Sequence, residues 1–60
     1  MGIDMSNFKM IYENKVYNCV NLSPNWNEDR VENLEVFYID EDNRLSLIRD
    51  SADKFQFISK

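Results

Sequence analysis

Residues 34–48 contain two apolar, β-prone runs on either side of a short Asp-Glu-Asp-Asn cluster, and this stretch constrains the fold more than any other. Turn-forming residues between two such runs predict a β-hairpin. The first run is apolar on both faces, because Val36 and Tyr38 alternate with Phe37 and Ile39. A strand of this kind is normally covered by protein on both sides. The sequence therefore predicts a small barrel, a dimer, or both.

The length of the chain makes extra stabilisation necessary. A domain of 60 residues buries only roughly 60% of the surface that its unfolded chain exposes, and small domains usually add disulfides, metal ions or a second subunit. Cys19 is the only cysteine and there is no histidine, so neither an internal disulfide nor a structural zinc site is expected. We therefore expect a homodimer, with no metal ion and no cofactor.

Charge and hydropathy limit the classes of partner. Eleven acidic residues against seven basic ones give a net charge of −4, which disfavours direct contact with nucleic acid or with an anionic membrane. No apolar run approaches the roughly 20 residues that a membrane-spanning helix needs, and the N-terminal residues lack the pattern of a signal peptide. The chain is therefore expected to be cytoplasmic.

The apolar pattern predicts a single β domain over residues 8–60, preceded by a flexible tail over residues 1–7. Five short strands are predicted at residues 8–12, 15–22, 34–39, 45–48 and 54–58, with one 3₁₀ turn at residues 50–53. In the second strand, the alternation places Leu22 on the same side as Val16 and places Cys19 on the opposite side.

The segment between the second and third strands carries the strongest functional candidate. Pro24 interrupts the strand pattern, and Asn25-x-x-Glu28 has the spacing of a helix capping box, so one short helical turn is predicted there. Trp26 lies among polar residues in this loop, and a large amphipathic ring in such a setting is typical of an interface anchor. The alternative is that Trp26 folds back as a lid over an open end of the barrel.

Charged residues in two segments complete the predicted contact surface. The protein-binding candidates are Asn25, Trp26, Glu28, Asp29 and Arg30 in the loop, and Asp40, Glu41 and Asp42 at the hairpin turn. Together with Glu32 and Glu35, the acids would imitate a phosphate ladder if they shared one face, which leaves a nucleic-acid mimic as an alternative. An ordinary solvated surface is the simpler interpretation.

The residue types argue against catalysis and against metal binding. Residues 40–43 begin like a calcium loop, but Arg44 and Leu45 stand where that loop needs a ligand and a glycine. Cys19 has no histidine to activate it as a nucleophile. A small barrel also leaves little room for a cleft that holds two catalytic carboxylates. The chain is expected to be non-enzymatic, with Cys19 as a small buried core residue.

The layout of residues 8–58 resembles a small SH3-like barrel, because five strands, a long loop after the second and a short turn before the last occur in that order. This resemblance implies an all-β fold, either a five-stranded barrel or a strongly twisted antiparallel sheet. In size, acidity and lack of histidine the chain is also similar to the small accessory and anti-defence proteins of phages of low-GC bacteria. Residue types with AT-rich codons (Asn, Lys, Ile, Tyr and Phe) supply 24 of 60 positions, as such a genome implies.

These observations lead to one functional expectation and three alternatives. We expect a non-enzymatic module, encoded by a phage or mobile element, that binds and inhibits a bacterial host protein, most sharply a defence protein. It would act in the cytoplasm of the host cell as a homodimer. The alternatives are a structural subunit of a larger assembly such as a virion, an acidic nucleic-acid mimic and, last, a small-ligand-binding protein.

Overall fold

The computed structural model describes residues 2–60 and shows one antiparallel sheet of six strands. The elements are β1 (Ile3–Asp4), β2 (Phe8–Tyr12), β3 (Lys15–Asn27), β4 (Arg30–Ile39), β5 (Leu45–Ser51), a 3₁₀ turn (Ala52–Lys54) and β6 (Gln56–Ser59). The strands lie in the order β5-β4-β3-β2-β6, and β1 lies beside β3. The predicted all-β fold is confirmed, and the predicted hairpin over residues 34–48 is the β4–β5 pair.

The sheet is open and has six strands, so the predicted five-stranded barrel is wrong, and the alternative of an antiparallel sheet is confirmed. Strands β5 and β6 lie at opposite edges of the sheet, and no backbone pairing joins them within residues 2–60. The lengths of the strands explain this arrangement. The β3–β4 hairpin has strands of 13 and 10 residues, whereas β2 and β6 have 5 and 4 and pair only with the first part of β3 or with each other. Strands β2 and β6 therefore lie beside only the first part of β3, and β6 does not reach β5 at the opposite edge of the sheet.

One face of the sheet carries the core. Its buried side chains are Met10, Cys19, Leu22, Leu34, Val36 and Phe55. Met10 and Val36 are completely inaccessible to solvent, and the burial of Cys19 confirms its predicted place. Phe55 follows the 3₁₀ turn and stacks on Tyr12, with ring centroids 5.0 Å apart. The turn thus brings the chain back over this face.

A β-bulge in β3 changes which side chains face the core. The register with β4 shifts between Cys19 and Asn21, so Val20 is the extra residue and the alternation of sides is reset. Cys19 and Leu22 are therefore both buried although they are three residues apart. The prediction that grouped Leu22 with Val16 is wrong for this reason, since Val16 is 58% exposed.

Strand β3 continues through Pro24 to Asn27, so the predicted helical turn in this segment is wrong. Pro24 pairs with Leu34 of β4, while the other side of β3 pairs with β1 only as far as Leu22. Beyond that point this side is a free edge in the described part of the chain, and a proline on a free edge removes no hydrogen bond from the ladder. Pairing with β4 therefore outweighs the local capping preference of Asn25.

The N-terminal residues lie against the sheet. Strand β1 pairs with β3, and the N–H of Met5 donates to the carbonyl of Val20 at 3.0 Å. The tail predicted at residues 1–7 also includes Met1, which lies outside the described residues. The division into a flexible tail and a single β domain stays a prediction.

Candidate protein-binding surface

Trp26 lies near the end of the β3–β4 hairpin, and 65% of this residue is exposed. It is next to the last residue of β3 and pairs with Val31 of β4. Val31 is partly buried against the core, whereas the ring of Trp26 stays largely in solvent. This exposure argues against Trp26 as a lid over the core and leaves the ring free for another molecule. Its role as a contact stays a prediction.

A two-residue turn of Glu28 and Asp29 connects β3 to β4 beside Trp26. Asn27 pairs with Arg30 across this turn. Glu28 has a φ of 57°, in the left-handed region that is unfavourable for residues other than glycine. Glu28, Asp29 and Arg30 are all exposed. We call residues 25–30 the Trp26 tip, and it presents one aromatic ring beside two carboxylates and one guanidinium.

Asn25 is half-buried and lies opposite Asn33 in the β3–β4 ladder. Its Nδ2 atom is buried and has no hydrogen-bond partner within residues 2–60, which is unfavourable for an amide donor. The ladder register shifts between Asn25 and Trp26. Asn25 therefore lies at the irregularity that places Trp26, and less of it is available for contact than sequence reasoning implied.

Asp40 organises the turn between β4 and β5. Its Oδ1 atom accepts hydrogen bonds from the N–H groups of Asp42 and Arg44 at 2.9 and 3.0 Å, and its Oδ2 atom accepts the hydroxyl of Ser46 at 2.8 Å. These bonds, with that of the Arg44 N–H first, hold the pKa of Asp40 below its ordinary value. We call residues 40–44 the Asp40 turn. Asp40 is satisfied within this turn, whereas Glu41 and Asp42 are exposed.

The two predicted contact segments lie at opposite ends of β4. Trp26 pairs near the start of that strand, and Asp40 follows its last residue. A strand of 10 residues separates the Trp26 tip from the Asp40 turn by about 30 Å, at about 3.4 Å per residue. The structure therefore does not bring the eight candidate residues together into one small patch.

The acidic side chains are also divided. Glu28, Asp29 and Glu32 lie at or beside the Trp26 tip, and the remaining acids of the predicted set lie in the Asp40 turn, apart from Glu35. Glu35 faces Arg49 of β5, with 3.6 Å between Oε1 and Nε. A continuous ladder of carboxylates along one face is therefore not formed.

The surface of residues 2–60 includes two shallow depressions of about 350 Å³ each. One is lined by residues 15–18 and 39–41, and the other by residues 30–32 and 51–53. Within the described residues no cluster of three or more Cys, Asp or Glu side chains is placed to hold a metal ion. Burial raises the pKa of the Cys19 thiol, which disfavours the nucleophilic thiolate. None of the helical segments in residues 2–60 is long and apolar enough to cross a bilayer.

The chain matches no protein-family model, no curated protein and no solved structure. The SH3-like layout and the similarity to phage accessory proteins therefore stay predictions.

Sequence reasoning does not identify one further surface, the outer edge of β5. Leu45 and Leu47 on this strand are 61% and 49% exposed, and β5 pairs with β4 alone among the described strands. The alternation of Leu45 and Leu47 with the polar Ser46 is visible in the sequence. Nothing in that alternation shows which strand of the sheet is at its edge.

Proposed function

We propose that this protein is a non-enzymatic protein-binding module that contacts its partner with the Trp26 tip. The observation that carries the proposal is the 65% exposure of Trp26 in a domain that buries only six hydrophobic residues within residues 2–60. A domain with so small a core would gain stability by burying another large ring, yet its one tryptophan stays outside. Tryptophan is among the residue types most enriched at the energetic centres of interfaces.

The charges around Trp26 indicate the chemistry of the partner. Glu28 and Asp29 form the turn next to the ring, Glu32 follows nearby on β4, and Arg30 is the one basic residue among them. A complementary surface has an apolar socket for the indole and basic side chains around its rim. Such a socket provides most of the affinity, whereas the rim charges mainly set the association rate and its dependence on salt.

In its sharpest form, the proposal is that a phage or mobile element encodes the protein and that it inhibits a bacterial host protein, such as one of a defence system. The small size, the acidity and the AT-rich residue types support this form. The narrow two-residue turn also supports it, because a projecting hairpin can enter and obstruct a site on a larger protein. The module would act in the cytoplasm of the host as a homodimer. The SH3-like layout belongs to this proposal, with the 3₁₀ turn leading into a last strand that pairs with β2.

A structural subunit of a larger assembly, such as a virion, is the second candidate. The open sheet favours it, because free strand edges allow copies or neighbouring subunits to add to the sheet. An acidic nucleic-acid mimic has less support, since its carboxylates lie at two ends of β4 and Glu35 is paired with Arg49. Abundance in purified particles would favour the structural subunit.

The proposed contact is tested with two matched variants, Trp26→Ala and Val16→Ala. Val16 is similarly exposed, at 58%, and lies near the opposite end of β3. Wild-type protein isolates partners from a lysate of the bacterial host, and calorimetry then measures the affinity of each variant for the recovered partner. Trp26→Ala is expected to weaken binding by about 30-fold, because loss of a tryptophan at an interface centre costs about 2 kcal/mol or more. Val16→Ala is expected to bind like the wild type.

Two results would count against the proposal. One is the absence of any stoichiometric partner at micromolar concentration, and the other is a Trp26→Ala variant that binds as tightly as the wild type. The same titration at low and high salt distinguishes an acidic nucleic-acid mimic from a contact made mainly through Trp26. The affinity of a mimic would fall steeply as salt screens its carboxylates.

A further inference from the structure

The outer edge of β5 presents backbone groups without a partner strand. In the β4–β5 ladder the N–H of Asp40 donates to the carbonyl of Arg44 at 2.9 Å, so the even-numbered residues of β5 direct their backbone groups toward β4. Because these groups alternate in direction along an antiparallel strand, Leu45, Leu47 and Arg49 direct theirs outward. No other strand within residues 2–60 pairs with this side of β5.

Apolar side chains adjoin this free edge on the face of the sheet opposite the core. Phe37 pairs with Leu47, and Ile39 pairs with Leu45, in two successive positions of the β4–β5 ladder. The phenylalanine and isoleucine are half-buried, while the two leucines at the edge are 49% and 61% exposed. A long edge strand with exposed apolar residues is a site of strand addition unless charges, bulges or proline protect it. Arg49 is the only charged residue of β5 on this face.

The dimensions of the molecule also indicate an incomplete unit. Its accessible surface is 4598 Å², whereas a compact monomer of 7.2 kDa is expected to expose about 4100 Å². Its radius of gyration is 11.1 Å, compared with about 10.4 Å expected for a compact chain of this length. The open sheet therefore leaves more surface in solvent than a closed domain of the same mass would.

We propose that a second copy of this chain pairs with β5, strand to strand and antiparallel, around a twofold axis at Leu47. In this register Leu47 lies opposite Leu47 of the second copy, and Leu45 lies opposite Arg49. Arg44 then lies opposite Asp50 at each end of the paired segment. The two sheets join into one, and the apolar pairs beside each edge become continuous across the axis.

Self-complementarity favours a second copy over an unrelated strand. The register places opposite charges across from each other twice, through Arg44 and Asp50, and places no like charges directly opposite. A twofold interface requires this kind of match, because the same patch must fit itself. Pairing through one strand edge buries less than the roughly 800 Å² per partner of a standard interface, so a dissociation constant in the micromolar range is expected.

The oligomeric state is tested by light scattering on the full chain and on two lysine variants. Wild-type protein is expected to pass from monomer to dimer as its concentration rises through about 10–100 µM. Leu47→Lys places like charges across the axis and is expected to remain monomeric in the same range. Val16→Lys adds the same charge at a similarly exposed position away from β5 and is expected to dimerise like the wild type. Circular dichroism verifies that each variant is folded.

The register is tested by oxidative crosslinking of Leu47→Cys and Leu45→Cys. Around the proposed axis, two copies of residue 47 lie about 5.5 Å apart between Cα atoms, within the range that a disulfide spans. Two copies of residue 45 lie about 14 Å apart, since they are offset by four residues along the strand and lie on neighbouring strands, beyond that range. Leu47→Cys is therefore expected to crosslink at least tenfold faster, although residue 45 is the more exposed of the two. Cys19 is buried in the native chain and is present in both variants, so it provides a common background.

Three results would overturn the proposal. The first is a wild-type protein that stays monomeric throughout the concentration range. The second is a Leu47→Lys variant that is folded and still dimerises. The third is crosslinking of Leu45→Cys that equals or exceeds that of Leu47→Cys. None of these results bears on binding by the Trp26 tip, which lies on a different hairpin.

Discussion

The phenol of Tyr12 donates a hydrogen bond of 2.6 Å to Oδ2 of Asp50. Tyr12 belongs to β2 and Asp50 to β5, and strands β3 and β4 lie between them in the sheet. The bond therefore crosses the core face and joins two strands that backbone pairing leaves apart. Phe55 stacks on the ring of Tyr12, so an aromatic pair accompanies the bond. Side-chain contacts thus connect β2 to β5 over the core face, although no backbone pairing joins these two strands.

We predict that Tyr12→Phe lowers the melting temperature by several degrees. The substitution retains the ring that packs on Phe55 but removes the hydroxyl, so the half-buried carboxylate of Asp50 loses a charge-assisted hydrogen bond. Tyr17→Phe is the control, because it also removes a tyrosine hydroxyl and retains the packed ring. The ring of Tyr17 packs edge-on against Tyr38, with ring centroids 4.7 Å apart. Calorimetry on both variants provides the comparison. Equal melting temperatures for Tyr12→Phe and the wild type would show that the bond contributes nothing to stability.

The pH dependence of stability is expected to follow the same bond. The hydrogen bond from Tyr12 lowers the pKa of Asp50 below its ordinary value of 3.8. A carboxyl with a lower pKa in the folded state stabilises the fold above pH 3.8 and loses that contribution as the pH falls through the folded pKa. The bond to Asp50 raises the pKa of Tyr12 from 10.0 to about 12, so its contribution is complete below pH 10 and is lost as the pH rises through about 12.

Urea unfolding of the wild type and of Tyr12→Phe, from neutral pH to both extremes, measures this effect. The stability difference between the two proteins is expected to shrink below pH 3.8 and above pH 10. Asp4 and Asp40 also have a lowered pKa, but both are present in the two proteins and cancel in the difference. A difference that stays constant across the whole range would contradict the assignment.

We predict that Met10→Ala lowers the free energy of unfolding by about 2–4 kcal/mol, because it leaves a cavity in the core. Met10 is completely buried on β2, and a domain of this size has little stability in reserve. Val16→Ala, at an exposed position, is expected to change stability by no more than about 0.5 kcal/mol. Urea unfolding measures both. If Met10→Ala lowered the free energy of unfolding as little as Val16→Ala does, Met10 would not belong to the core.

The Asp40 turn provides a local prediction. Asp40→Ala removes the acceptor of two backbone N–H groups and of the Ser46 hydroxyl, so the turn is expected to open more often. Amide hydrogen exchange at Asp42 and Arg44 is expected to become faster, while amides of β2 change little. Glu41→Ala, at an exposed position of the same turn, is the matched control. Unchanged exchange at Arg44 in Asp40→Ala would argue against this role.

Local patterns in the sequence predicted a substantial part of the fold. The β4–β5 hairpin follows from apolar runs around the Asp40 turn, where Asn43 takes the left-handed conformation with a φ of 62°, as asparagine tolerates. The 3₁₀ turn lies at Ala52–Lys54, close to its predicted place. These features depend on neighbouring residues alone, which is why sequence reasoning identifies them.

Features that depend on distant residues could not be predicted in this way. The bulge at Val20 changes which residues of β3 face the core, and no residue type near it predicts a bulge. Pro24 looks like a strand terminator, but its place on a free edge makes it compatible with β3. The bond between Tyr12 and Asp50 joins residues 38 positions apart. Likewise, only the observed length and pairing of β4 show that Trp26 and the Asp40 turn lie at opposite ends of this strand.

The fluorescence of Trp26 tests the central claim most directly, because it is the only tryptophan in the chain. In the free protein we expect emission at the long wavelengths of water-exposed indole and efficient quenching by acrylamide. On addition of the recovered partner we expect a shift to shorter wavelength and protection from the quencher. Short-wavelength, protected emission in the free protein would contradict the account, as would unchanged emission in the complex.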